Sequence, residues 1–195
     1  MTDEQVLIGR AQLGDMEAFR ELVELAKVNV YRLAYDLTGN PHDAEDLSQE
    51  VFLKAFRSLP GFRGEAKWST WLYRITVNAS YDQRKKTPRG LMVYRNNIAE
   101  DDAPLEYPDH RSDRPDRSAE SSLIQEHIEN ALGRLKPQER SVFVLRHYHD
   151  LPLKQIAEMM SIAEGTVKSY LFRAVHRLQQ ELAFYKKEIG MGERE

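Results

Sequence analysis

The chain has 195 residues, 30% of them charged and 41% hydrophobic, with a formal net charge of −3 and no cysteine. That length holds one or two small domains, and the missing thiols exclude disulfides, thiol chemistry and cysteine-ligated zinc. No apolar run reaches the ~18 residues that span a membrane, and the acidic opening MTDEQVLIGR lacks the basic flank and apolar core of a secretion signal, so a cytoplasmic protein is expected.

The charge is unevenly spread. Residues 1–61 hold six basic and eleven acidic side chains, residues 62–86 six and two, residues 87–118 five and seven, and residues 119–195 eleven of each. A stand-alone DNA binder usually carries a strong positive field, because phosphate neutralisation supplies most of its affinity. Basic patches set in an acidic body point instead to weak DNA binding alone and to a second partner that prefers acid.

Residues 3–14 read as a short helix with Leu7 and Ala11 inward, closed by Gly14. Asp15 is placed to cap the next helix, in which Phe19, Leu22, Val23, Ala26, Val30, Leu33, Ala34 and Leu37 keep the 3.6-residue period. Gly39 ends it, and Asn40-Pro41 starts another, with asparagine as N-cap and proline at the first helical position. This third helix, to about Leu59, buries Ala44, Leu47, Val51, Ala55 and Leu59.

Asp46, Gln49, Glu50 and Leu53 recur at i, i+3, i+4 and i+7 on one face of that helix. Acids in a first turn are accounted for by the macrodipole, but Gln49 and Glu50 lie beyond its reach. An acidic stripe with one leucine suits docking to a basic protein partner. A merely solvated face is the alternative that the residues leave open.

Pro60-Gly61 breaks the helix, Phe62-Arg63-Gly64-Glu65 reads as a loop, and a fourth helix is expected over about 66–86, burying Trp71, Leu72, Ile75 and Ala79. Phe62, Arg63, Lys67, Trp68, Tyr73, Arg74, Asn78 and Tyr81 interleave cations with rings. Single-stranded DNA binding needs that composition, since phosphates attract cations and unstacked bases attract flat π faces. Trp71 is assigned to the core, and Phe62, Trp68 and Tyr73 to bases.

Residues 87–118 hold four of the eight prolines, seven acids and five arginines without helical period. A stretch of that length is too long for a connection inside one compact domain, so it is expected to be a linker between two domains, at 1–86 and 119–187, with a tail at 188–195. The second domain begins with an amphipathic helix bearing Leu123, Ile128, Ala131 and Leu135. Pro137 opens another, with Val142, Leu145 and Tyr148 inward.

From Leu151 to Leu182 the pattern is two helices and a tight turn. Leu153, Ile156, Ala157 and Met160 share one face, Ser161-Ile162-Ala163 is the turn, and Val167, Leu171, Ala174, Leu178 and Leu182 line the second helix. Lys168, Ser169, Phe172, Arg173 and His176 lie on its outer face. This is the helix-turn-helix arrangement, whose second helix enters the DNA major groove. Period and charge alone also fit a helical hairpin with a solvated basic face. Phe172 favours DNA, because an exposed ring between cations is costly in water and useful against a thymine methyl. The fold class is therefore all-α: two small helical domains joined by a flexible linker, the second with a helix-turn-helix.

No catalytic centre emerges, and no cofactor or metal is expected. His147-Tyr148-His149-Asp150 invites a metal reading, but neighbouring helical positions point apart, whereas zinc helices use i and i+4. Glycine-rich phosphate loops and nucleophile motifs are missing from the sequence.

The run from Gly39 to Asn78, GNPHDAEDLSQEVFLKAFRSLPGFRGEAKWSTWLYRITVN, resembles the first conserved domain of bacterial extracytoplasmic-function sigma factors, and Leu132 to Leu178 resembles their second. The D-A-E-D-L-x-Q-E-x-F pattern at 43–52, F-R-G at 62–64 and T-W-L-Y-R-I at 70–75 are specific. So is G-T-V-K-S followed by F-R-A within 165–174. The resemblance covers about 3–86 and 119–182. It implies that Asp46, Gln49, Glu50 and Leu53 dock on the β′ clamp helices of core RNA polymerase. It implies that Phe62, Arg63, Lys67, Trp68, Tyr73 and Asn78 serve the non-template strand of the promoter −10 element, where the family flips a base into a pocket. Lys168, Ser169, Phe172 and Arg173 would read the −35 element, the helices of 119–150 would help hold the β flap, and the linker would run towards the polymerase active site. An anti-sigma factor is a further implied partner. The linker itself carries no family motif, and 183–195 match nothing. The rival reading is a self-sufficient helix-turn-helix regulator whose N-terminal half senses a ligand or dimerises; it predicts duplex binding without polymerase.

Overall fold

The computed structural model describes residues 3–86 and 119–183, so the expected linker at 87–118 and tail at 188–195 lie outside the described residues. Eight α-helices and one short 3-10 turn make up the fold there, with no strand among the described residues. They run α1 Asp3–Gln12, α2 Met16–Thr38, α3 Pro41–Ser58, α4 Trp68–Lys86, α5 Ala119–Gly133, α6 Pro137–His147, α7 Leu153–Met160 and α8 Glu164–Glu181.

Local signals set the breaks. The Asp15 carboxylate accepts from the N–H groups of Glu17 and Ala18 at 3.0 and 3.1 Å, capping α2. The Ala18 N–H, with Arg10 beside it, holds that carboxyl below its ordinary range. Asn40 Oδ1 accepts from Asp43 N at 3.2 Å, and Pro41 opens α3. Between them Gly39 closes α2 in the left-handed region at φ 76°.

Two departures from the sequence expectations are local. Helix α4 begins at Trp68 rather than near 66. Tyr148, expected inward, is exposed, because α6 ends at His147 and the chain leaves the helical direction at Tyr148. The inward positions of α6 are Val142, Val144 and Leu145, together with Glu139, Arg140 and Ser141.

Helices α1–α4 enclose a core of Ala18, Leu22, Val30, Leu47, Val51 and Leu72, among others. A second cluster holds Val142, Leu145, Ile156 and Val167 of the C-terminal half together with Leu33, Leu37 and Val77 of the N-terminal half. A third seats α5 against α8 through Ala131, Leu132, Leu135, Ala174 and Leu178. The two halves therefore share buried apolar surface, which their separate periodicities did not announce.

Gly39 sits at that junction. A Cβ there would stand 3.0 Å from Nη2 of Arg140, which reaches across from α6. Gly39→Ala meets both the left-handed backbone penalty of about 1–2 kcal/mol and that crowding. Urea unfolding is expected to show a loss of about this size. A loss near zero would mean that the turn relaxes.

Candidate functional site

Three exposed surfaces carry the chemistry, and each is positioned by an apolar stripe on the opposite side of its helix. On α3, burial of Ala44, Leu47, Val51 and Ala55 turns Asp46, Gln49 and Leu53 to solvent, with Leu53 57% exposed. Asp46 has the His42 ring 3.8 Å away. Glu50 differs: Lys54 bridges it at 3.0 Å and reaches Asp82 of α4 at 3.4 Å. Desolvation works against the Lys54 ammonium, but Glu50 and Asp82 outweigh it and raise its pKa. This stripe of α3 thus presents Asp46, Gln49 and Leu53 openly, while the charge of Glu50 is largely offset by Lys54.

The second surface corrects the sequence reading of the rings. Phe62 is 9% exposed and Trp68 2%, so both belong to the core, whereas Trp71, assigned inside, is only partly buried. The loop folds Phe62 back onto α4, its ring centroid 5.9 Å from Trp68 and 4.8 Å from Trp71. Gln12 of α1 fixes the fold-back by donating to the carbonyls of Leu59 and Phe62 at 3.1 and 2.7 Å. Two rings expected to meet bases instead form the wall on which the loop rests. Arg63, Lys67, Arg74 and Asn78 remain exposed around it. Tyr73 is half-buried, with its ring edge-on to His149 at 5.2 Å. Burial pushes its phenol pKa up, and the Asp36 carboxylate pushes in the same direction.

The third surface is the helix-turn-helix. Ser161 takes the left-handed conformation at φ 55° and its N–H reaches back to the end of α7, while Ile162 packs as the partly buried plug. Val167, Ala174 and Leu178 hold α8 inward. Outward, Phe172 is 74% exposed and lies parallel to the His176 ring at 6.3 Å. Lys168 is paired with Glu164 at 2.9 Å. Arg173 donates from Nε to the Ser169 carbonyl at 3.2 Å, with its guanidinium over Tyr170. The Ser169 hydroxyl donates to the Gly165 carbonyl at 2.9 Å. All four predicted side chains stand together on one exposed strip. A groove of about 470 Å³ runs alongside, between α5 and α8, lined by Arg134, Leu135, Phe172, His176 and Arg177 among others.

The sequence reading missed a buried polar set. The His149 imidazole lies 3.0 Å from the Asp36 carboxylate, with both side chains largely buried. Arg140 donates to the Asp36 carbonyl at 3.0 Å, and Gln155 donates to Thr70 Oγ1 at 2.9 Å. Glu139 is fully buried, 3.4 Å from Arg177. Among the described residues no group of three or more histidines, cysteines or acids is arranged to hold a metal ion. No described helix is long and apolar enough to cross a membrane.

Comparison with known proteins places this geometry. The Sigma-70 region 2 model matches residues 22–89, and the Sigma-70 region 4 model matches 125–178. The ECF RNA polymerase sigma factor SigW of Bacillus subtilis is 33% identical over 187 residues, covering 90% of this chain and 94% of the relative. The chain belongs to the ECF sigma factors of the sigma-70 family. The RNA polymerase sigma-H factor of Pseudomonas aeruginosa is 30% identical over 182 residues, covering 92% of this chain and 93% of the relative. Among solved structures, the sigma factor RpoE of Bartonella quintana, in complex with the anti-sigma factor NepR, has a TM-score of 0.62 at 25% identity, covering 85% of this chain and 96% of that one. CnrH, in complex with the cytosolic domain of CnrY, has the same fold at a TM-score of 0.63. This sigma factor is a transcription initiation factor, and its partners are core RNA polymerase and promoter DNA.

Proposed function

We propose that the labour of this sigma factor is divided between its halves. Residues 1–86 dock on the polymerase and capture the opened strand, and 119–187 read the −35 element. The observation that supports this reading is the outer strip of α8, where Phe172 stands 74% exposed beside Lys168 and Arg173, with the parallel His176 ring at 6.3 Å. Asp46, Gln49 and Leu53 form the face for the β′ clamp helices, with Glu50 as a minor contributor. Arg63, Lys67 and Asn78 meet the non-template strand of the −10 element, and Tyr73 joins them once uncovered. Phe62 and Trp68 serve the same site from below, by fixing the loop rather than by stacking on bases. The α5–α8 groove beside this strip suits a segment of the β flap.

The chain has no chemistry of its own in this reading. It acts in the cytoplasm as a specificity subunit, and two weak DNA contacts held on one polymerase act together through effective concentration. An anti-sigma factor is a third partner, as for the Bartonella relative.

The test combines the purified chain with bacterial core polymerase and genomic DNA of its source. Discrete transcript starts sharing a −35/−10 pair support the reading, while a footprint on bare duplex without polymerase favours an independent regulator. Within that assay, Lys168→Ala and Arg173→Ala are each expected to weaken −35 recognition by about 1–3 kcal/mol, the usual cost of removing a side chain that reads a base edge. An equal loss on scrambled −35 sequences would reduce both to phosphate contacts.

A further inference from the structure

The loop that leads into α4 is held at both ends, and one of its anchors comes from α1. Its far end is fixed locally, where Trp71 N donates to the Lys67 carbonyl at 3.0 Å at the start of α4. Its near end is fixed from a distance. The Leu59 carbonyl accepts from Phe62 N at 3.0 Å within the 3-10 turn and from Gln12 Nε2 at 3.1 Å. The Phe62 carbonyl accepts from the same Nε2 at 2.7 Å. Both acceptors are oxygens, so only the NH2 end of the Gln12 amide can meet them. The Phe62 carbonyl lies in the peptide plane that carries the Arg63 N–H, and a planar peptide passes the anchor directly to the Arg63 Cα. Gly64 then turns the chain in the left-handed region at φ 71°, with Arg63 and Lys67 exposed.

Gln12 can anchor the loop because its own position is fixed. It is the last residue of α1, whose Leu7 and Ala11 are buried in the N-terminal core. Past it the chain turns through Gly14 at φ 95°, and Arg10 closes the corner on Asp15 at 2.7 Å. The apolar side of the 59–62 turn has separate support: Leu59 is buried, and the Phe62 ring rests on Trp68 and Trp71. Burial therefore holds the side chains of the turn, while Gln12 sets the direction in which its backbone leaves. The Sigma-70 region 2 match, over 22–89, does not reach Gln12. A loop already held in its binding geometry gives up less conformational freedom when it captures a ligand.

We propose that Gln12 is a positioning residue for promoter opening. Through its hydrogen bonds to the Leu59 and Phe62 carbonyls, α1 aims the 63–67 loop at the non-template strand, although Gln12 itself touches no DNA. This rests on the reading of that loop as part of the strand-capturing surface.

The test uses holoenzyme assembled from core polymerase and the full chain, on a promoter found by the transcript mapping above. A 2-aminopurine in the −10 non-template strand reports opening. Gln12→Met keeps the length of the side chain and loses both donors, while Gln12→Glu keeps its shape and sets a carboxylate against two carbonyls. The opening rate at saturating holoenzyme is expected to fall about tenfold in Gln12→Met, equal to about 1.4 kcal/mol, and further in Gln12→Glu. The holoenzyme concentration giving the half-maximal rate should stay the same. A chain that was merely less folded would shift that concentration and leave the saturating rate alone. The Phe62 ring touches both tryptophans of the chain, so acrylamide quenching of their fluorescence should rise in the free variants as the turn loosens. An unchanged saturating rate, unchanged quenching, or an effect confined to the half-saturating concentration would each overturn the proposal. Arg63→Ala/Lys67→Ala separates the two readings. If that variant opens slowly while both Gln12 variants open normally, strand capture stands and the role of Gln12 falls; if all three open normally, both fall.

Discussion

Asp46→Lys is expected to lose core polymerase affinity by more than 100-fold while its thermal unfolding stays within experimental error of the natural chain. The two halves of that expectation have different physical origins. Asp46 is exposed on α3, more than a turn past the helix start, so the macrodipole no longer acts on it strongly. The His42 ring is 3.8 Å away and itself exposed. A lysine at 46 gains Glu50 at i+4 in place of that neighbour, so the stability change stays within about 0.5 kcal/mol, as for ordinary surface substitutions. At an interface the same change sets like charges against a basic partner, which costs several kcal/mol. At 1.4 kcal/mol per tenfold, about 3 kcal/mol is more than 100-fold. Glu50→Gln should cost much less, because Lys54 already neutralises Glu50 inside the protein. Competition for core polymerase against a labelled natural chain measures both. Unchanged affinity of the lysine variant would remove the docking face from α3.

What could be read from the sequence was whatever local pattern decides. The caps at Asp15 and Asn40, the stop at Gly39 and the stripe Leu22–Ala26–Val30–Leu33 each depend on neighbours within a turn or two, and each stands in the structure as expected. The turn at Ser161 and the exposure of Phe172 were legible for the same reason. The rings around α4 were not. Trp68 and Trp71 are three residues apart and share a side of the helix, so the period cannot rank them; the decision falls to Phe62, folded back by hydrogen bonds from Gln12, which is 50 residues away from it. The junction was equally silent. Asp36 and His149 are separated by 113 positions, and in its own stretch of sequence, α2 for one and the bend after α6 for the other, each reads as an ordinary solvent-facing polar residue. Glu139 was missed because an acid in the first turn of a helix already has a sufficient explanation in the macrodipole.

Glu139 has a further consequence, since its carboxylate is fully buried between α6 and α8. Oε2 accepts from the Lys136 N–H and faces Arg177 Nε, both at 3.4 Å, while Oε1 has no hydrogen-bond partner among the described residues. Breaking a buried pair by removing one partner usually costs 3–5 kcal/mol, because the other charge is left uncompensated. The Arg177 side chain is itself partly exposed, and water entering its place would recover part of that energy. Arg177→Ala is therefore expected to destabilise by about 2–3 kcal/mol, which at ~2–4 °C per kcal/mol for a chain of this size lowers Tm by about 5–10 °C. Glu139→Met combined with Arg177→Ala should restore most of the loss, since a buried ion pair exchanged for apolar groups of similar volume is often neutral. Far-UV circular dichroism follows the whole helical fold, and fluorescence follows the N-terminal half, where both tryptophans lie. The circular dichroism transition should fall by the larger amount. If the double variant is no more stable than Arg177→Ala alone, the uncompensated carboxylate is not the cause, and Arg177 acts through its packing against the α5–α8 groove.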